Sequence, residues 1–184
     1  VFRSSSQIAL ITRLPIIPNR MFHECSLFNK IVIPSFVTEI GYLSFSSCLM
    51  THVEIPSSVT VIGLWAFAGC VNLESAVIPP KVKKIGQYTF YDCRSLLKVS
   101  IPSSVKIFGD LAFANCIKLS EVDIECPSSL RKIGKRCFYG CLLLNNFKVP
   151  PLVTEIEDGT FELCLGLNNI EIHPSIKSIG NCAF

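Results

Sequence analysis

The chain is 184 residues long, 49% apolar and 17% charged, with a formal net charge of +3. A chain this apolar can bury a large core, which excludes intrinsic disorder. The charge is too small to indicate a nucleic-acid partner, and no apolar run reaches the ~18–20 residues of a membrane helix.

Residues 1–9 read as an atypical N-terminal edge, and the opening apolar stretch, broken by Arg13 and Pro15, does not read as a signal peptide. Beyond it the chain repeats itself. Phe22 and Cys25 open a pattern that returns at Phe45 and Cys48, Phe67 and Cys70, and Phe90 and Cys93. It continues at Phe113 and Cys116, Phe138 and Cys141, and Phe161 and Cys164, and ends on Phe184. The cysteine steps are 23, 22, 23, 23, 25 and 23 residues, and eight of the 13 phenylalanines share this column. With no initiator Met and an end inside a motif, residues 1–184 read as a single solenoid domain cut within its last repeat.

Three elements recur within each unit. Val53 and Ile55 alternate as a short strand, which Pro56 ends because it cannot donate to a ladder. Val59, Ile62 and Gly63 predict a second extended segment turned at the glycine. Ala66, Phe67 and Cys70 predict one helical turn, with Phe and Cys three apart on one side. The strand signal returns at Val99 and Ile101, Val122 and Ile124, and Ile170 and Ile172. The second segment returns at Val82, Ile85 and Gly86 and at Leu130, Ile133 and Gly134. A single unit buries too little to offset its ordering entropy and is stabilised only by stacking on neighbours. The departures are local: Pro18 and Glu157 replace the glycine, Phe108 replaces an isoleucine, and His173 stands where most copies have proline. Glu125 and Cys126 lengthen the sixth unit by two residues.

The segments IPSSVTVIGLWAFAGC and IPSSVKIFGDLAFANC resemble BspA-like leucine-rich repeats, and the resemblance runs over roughly residues 10–184. It implies an α/β fold: a right-handed leucine-rich-repeat solenoid, or β/α horseshoe, of about eight ~23-residue repeats with a parallel sheet on one face. The resemblance also implies a non-catalytic module of a larger protein at the cell surface or outside the cell, as in bacteria and parasitic protists. Such a module mediates adhesion by binding a protein or glycan. A cytoplasmic scaffold for protein–protein interaction is the alternative, and a targeting module of an enzyme whose catalytic domain lies elsewhere is a third reading.

The candidates for chemistry are few. The cysteine column suits a small apolar side chain with a weak donor and reads as buried free thiols; bridges between neighbouring rungs and a metal are the lesser readings. No C-x-x-C pair occurs, and no cofactor or metal is expected. His23, His52 and His173 fall in distant repeats. Glu121, Asp123 and Glu125 alternate, which predicts that all three face outward from one strand. Lys98, Ser100, Asn146 and Lys148 flank them, and cross-strand charge pairing accounts for the arrangement. Lys98, Ser100, Glu121, Asp123, Asn146 and Lys148 are accordingly the expected binding face. A basic stripe of Lys83, Lys84, Lys106, Arg131 and Lys132, interrupted by Ile107, is a candidate polyanion site. Against it stand Glu39 and Glu155 in the same band and the lack of interleaved aromatics for base stacking.

Overall fold

The structure, a computed structural model, describes residues 14–27 and 29–184; the N-terminal edge at residues 1–9 lies outside them. In chain order the strands are β1 (Ile16–Ile17), β2 (Lys30–Val32), β3 (Glu39–Ile40), β4 (His52–Glu54) and β5 (Val61–Ile62). They continue with β6 (Ser75–Val77), β7 (Lys84–Ile85), β8 (Lys98–Ile101), β9 (Ile107–Phe108) and β10 (Glu121–Ile124). The last are β11 (Lys132–Ile133), β12 (Asn146–Lys148), β13 (Glu155–Ile156), β14 (Asn169–Glu171) and β15 (Ser178–Ile179).

Even- and odd-numbered strands build two separate parallel ladders, one strand of each per coil. The predicted strand signals became the even-numbered ladder and the V-x-x-I segments the odd-numbered one. Seven strands stand in the even-numbered ladder, so the described residues close about seven turns rather than the expected eight.

The interior is a set of columns. Phe22, Phe45, Phe67, Phe90, Phe113, Phe138, Phe161 and Phe184 stack face to face at 5.2–5.8 Å, ring planes within 8°. That spacing follows the backbones, which lie about 4.8 Å apart in a ladder. Beside the rings, each cysteine thiol donates to the carbonyl of the Phe one coil back: Cys48 to Phe22, Cys70 to Phe45, Cys93 to Phe67, Cys116 to Phe90, Cys141 to Phe113 and Cys164 to Phe138. All of these cysteines are unbridged, and all but the half-buried Cys164 are buried. Cys137, in the small-residue column, is likewise free and buried.

The α/β expectation is corrected here: among the described residues there is no helix, and the A-F-x-x-C stretches are turns. Two positions in each coil lie in the left-handed region, where a helix cannot continue. One column is Arg20, Leu43, Trp65, Tyr88, Leu111, Arg136, Gly159 and Cys182, at φ 50–62°. The other is Glu24, Ser47, Gly69, Asp92, Asn115, Gly140 and Leu163, at φ 58–70°. These left-handed residues point alternate N–H groups at the next coil instead of back along the same one. Leu43, Phe45 and Ser47 thus donate to the carbonyls of Leu64, Ala66 and Ala68. A helical turn would keep those bonds to itself; here they bind coil to coil.

Both ladders are interrupted. The even-numbered one bonds β2, β4, β6, β8 and β10, stops, and resumes with β12 and β14; the odd-numbered one divides into β1–β3–β5, β7–β9–β11 and β13–β15. The gap after β10 falls at the two-residue lengthening by Glu125 and Cys126, and Phe147 follows in β12 where β4 and β8 carry Val53 and Val99. Phe147 wedges against Phe138 and Phe161, each centroid 5.1 Å away. The gap before β13 falls where Glu157 replaces glycine. Elsewhere in that column the coils touch: a Cβ on Gly63 would lie 2.6 Å from the Gly41 carbonyl carbon, and one on Gly109 2.6 Å from the Gln87 nitrogen.

Candidate functional site

The outward positions of the even-numbered ladder form two columns. Lys30, His52, Ser75, Lys98, Glu121, Asn146 and Asn169 make one; Val32, Glu54, Val77, Ser100, Asp123, Lys148 and Glu171 make the other. All are exposed except the half-buried Ser100. Strand alternation turns these side chains out and the residues between them in, so the interior columns fix their positions.

Register brings the predicted residues together only in part. Lys98 lies opposite Glu121 and Ser100 opposite Asp123, whereas Asn146 and Lys148 belong to the next sheet and face Asn169 and Glu171. Charges neutralise across rungs: Lys98 bonds Glu121 at 2.5 Å, Lys148 meets Glu171 at 2.9 Å and Lys30 meets Glu54 at 2.6 Å. Both Lys98 and Lys148 are raised above the ordinary lysine value, chiefly by hydrogen bonding to these carboxylates. Solvent screens such exposed pairs, so they contribute little to stability. Glu125 departs from expectation. The strand ends at Ile124, and Glu125 turns back to accept the Ser103 N–H at 2.8 Å, which lowers its carboxyl below the ordinary value.

Where β10 and β12 part there is a cleft of about 390 Å³, lined by Val122 and Ile124 of β10, Cys126 and Pro127 after it, Lys148 of β12 and Leu152 beyond that. Val122 and Ile124 are half-buried there, although their counterparts Val99 and Ile101 are buried. The cleft was not foreseen. Its sequence signal was the 25-residue step from Cys116 to Cys141.

The basic stripe falls on β7–β9–β11, a single three-stranded sheet. Lys83, Lys106 and Arg131 occupy one column just ahead of the strands: the Lys106 N–H donates to Lys83 and the Arg131 N–H to Lys106. Lys84 and Lys132 occupy the neighbouring column with Ile107 between them. Lys132 is neutralised by Glu157 at 2.9 Å. Among the described residues, Lys83, Lys84, Lys106 and Arg131 have no ion pair.

An aromatic cluster that the sequence did not single out forms on the turns after β5 and β7. Trp65 stacks on Tyr88 at 3.9 Å, and Tyr91 meets both, at 5.8 and 5.6 Å. The rings are half-buried on successive turns. Among the described residues no group of three or more His, Cys, Asp or Glu converges as a metal site would, and no helix is long and apolar enough to cross a membrane.

Comparison with known proteins agrees with this architecture. The BspA type leucine rich repeat region matches residues 2–120 and 119–184, in six copies. The chain is similar to the T. pallidum leucine rich repeat protein, 31% identical, covering 83% of this chain and 73% of that one, with a TM-score of 0.77. It is also similar to a leucine rich cell surface protein of Faecalibacterium prausnitzii, 27% identical, covering 85% of this chain and 56% of that one, with a TM-score of 0.45. No curated protein matches. The phenylalanine–cysteine repeat, the stacked parallel coils and the match over nearly the whole length have one reading: the chain belongs to the BspA-type leucine-rich repeat family.

Proposed function

We propose that this chain is a non-catalytic binding module of a larger surface-associated protein, adhering to a protein or glycan through the outward face of the even-numbered ladder. The observation that carries this reading is the cleft between β10 and β12. Its lining is mostly apolar, with Lys148 as its charged member, and it adjoins a face whose lysines pair with acids across the rungs. Binding sites are typically concave and apolar with a few polar groups at the margin. Lys148 lines the cleft, Glu121 and Asp123 on β10 and Asn146 on β12 stand on the strands that border it, and Lys98 and Ser100 lie one strand further out on β8. The surface placement rests on what the family resemblance implies.

The test is binding of the labelled chain to glycan and surface-protein arrays, with Ile124→Glu and Lys148→Glu compared with the parent. Loss of the parent's signals in both variants, with unfolding midpoints unchanged, supports the face. Equal signals would sink it.

A cytoplasmic protein-binding scaffold is the second reading. Cys126 and Cys182 expose unbridged thiols, which persist best in reducing surroundings. Antibody labelling of intact against permeabilised cells separates the two: label only after permeabilisation removes the surface reading.

A further inference from the structure

We infer that the column Lys83–Lys106–Arg131, with Lys84 beside it, is a binding site for a linear sulfated glycan. It lies on the odd-numbered ladder, so its failure would leave the reading above standing. The first support is its lack of neutralisation. Seven lysines and arginines of the described residues have an acidic partner: Lys30, Arg94, Lys98, Lys132, Lys135, Arg136 and Lys148. Where Lys98 and Lys148 stand on the other ladder, the neighbouring rung supplies Glu121 and Glu171. Beyond Lys83 and Arg131 the same column instead offers Thr60 and Thr154. Arg20, which lies over the Tyr42 ring, Lys118 and Lys177 also lack an acid, but each stands singly, and Lys81 lies two residues before Lys83. Three unneutralised cations on consecutive hydrogen-bonded rungs repel one another, an arrangement costly without an anion to fill it.

Shape selects among polyanions. The column runs along the coil axis, with Lys84 beside its first rung, about 4.8 Å between rungs and so about 10 Å from Lys83 to Arg131. That is a track for a single chain with closely spaced anionic groups. A duplex presents two phosphate rows, and an anionic membrane needs a broad patch. Single-stranded nucleic acid would want free aromatic faces. Trp65 and Tyr88 already close on each other at 3.9 Å, which leaves no space for a base between them.

The experiment is equilibrium binding of the chain to heparin oligosaccharide, duplex DNA, single-stranded DNA and phosphatidylserine vesicles across a salt series. The triple variant Lys83→Gln, Lys106→Gln, Arg131→Gln is compared with Lys98→Gln, whose ammonium is paired with Glu121. All three replaced side chains are exposed, and unchanged unfolding midpoints verify the fold. The expected result is that heparin binds best and that the triple variant loses roughly ten-fold or more of that affinity. Its salt slope should fall by about one per cation removed, while Lys98→Gln stays near the parent. Heparin affinity equal in parent and triple variant overturns the site. Tighter binding of either DNA or of vesicles overturns the glycan.

Discussion

Cys93 donates its thiol hydrogen to the Phe67 carbonyl one coil earlier, at 3.2 Å, and that carbonyl also accepts the Cys70 N–H of its own coil. The acceptor is therefore doubly used, and the thiol adds a coil-to-coil bond inside an apolar column. This explains why the position repeats as cysteine: alanine packs but cannot donate, and serine is costlier to bury.

Burial has a consequence at high pH. It pushes the Cys48 thiol from an ordinary 9.0 up to about 12, and raises Cys70, Cys93, Cys116 and Cys141. Folded, these thiols keep a proton that the unfolded chain releases above pH 9.0. Their stabilisation is therefore complete below that pH and is lost as pH rises through the folded-state value. Each thiol costs about 1.4 kcal/mol per pH unit across the window. Urea unfolding at about pH 7.5 and about pH 10.5 should show a steep alkaline loss. Cys93→Ala should be about 1 kcal/mol less stable near neutrality yet show a shallower alkaline slope. Parallel slopes in parent and variant would refute the mechanism.

The Phe column predicts a gradient along the solenoid. Phe90 stacks on Phe67 and Phe113 from both sides, and it is fully buried. Phe90→Ala should cost about 3–5 kcal/mol, as large-to-small changes in tight cores do. Among the described residues Phe184 stacks on Phe161 alone and is 54% exposed, so in this chain Phe184→Ala should cost much less. Denaturant midpoints provide the check; equal losses would mean that the column does not act as a stack.

The two turn columns explain where the sequence was legible and where it was not. Period and strand alternation exposed the interior because inward residues must repeat for coils to superpose. The turn was misread as helical because Phe and Cys three apart satisfy a helical turn and two successive left-handed bends alike. The left-handed positions hold Arg, Leu, Trp, Tyr, Asp and Asn, so glycine, their ordinary marker, is mostly missing. Trp65, Tyr88 and Tyr91 were overlooked for a related reason: they stand in columns whose residue type varies from coil to coil. The charge partners were legible in kind, but the separation of Asn146 and Lys148 from Glu121 and Asp123 depended on how the chain absorbs two extra residues.

Left-handed backbone at a branched apolar residue is strained, and Leu163 is a clean place to measure it. Its φ is 60° and its side chain is 48% exposed. Leu163→Gly should stabilise the chain by up to about 1 kcal/mol, the relieved strain exceeding the entropy that glycine adds to the unfolded state. Loss of stability in thermal melts would show that Leu163 contributes more by packing than it costs in strain.

The cleft has a dynamic signature. At neighbouring rungs the ladder is closed by Ser120 donating to Leu97 and by Asn168 donating to Asn145. The equivalent Asn145 N–H has no such acceptor on the β10 side among the described residues, and Asn146 is in the same position relative to Glu121 and Asn169. Native-state hydrogen exchange should therefore find Asn145 and Asn146 less protected than Ser120 and Asn168, since unpaired amides open to solvent without local unfolding. Deleting Glu125 and Cys126 shortens the 25-residue step to 23, the commonest length elsewhere, so β12 should dock on β10 and those two amides should gain protection. Phe147→Val in the full-length background isolates the other cause, the ring wedged against Phe138 and Phe161. If the deletion leaves protection unchanged while Phe147→Val restores it, the bulk of Phe147 rather than the added length holds the ladder open. If neither change protects the amides, the cleft does not arise from these residues, and the binding face proposed around it loses its physical basis.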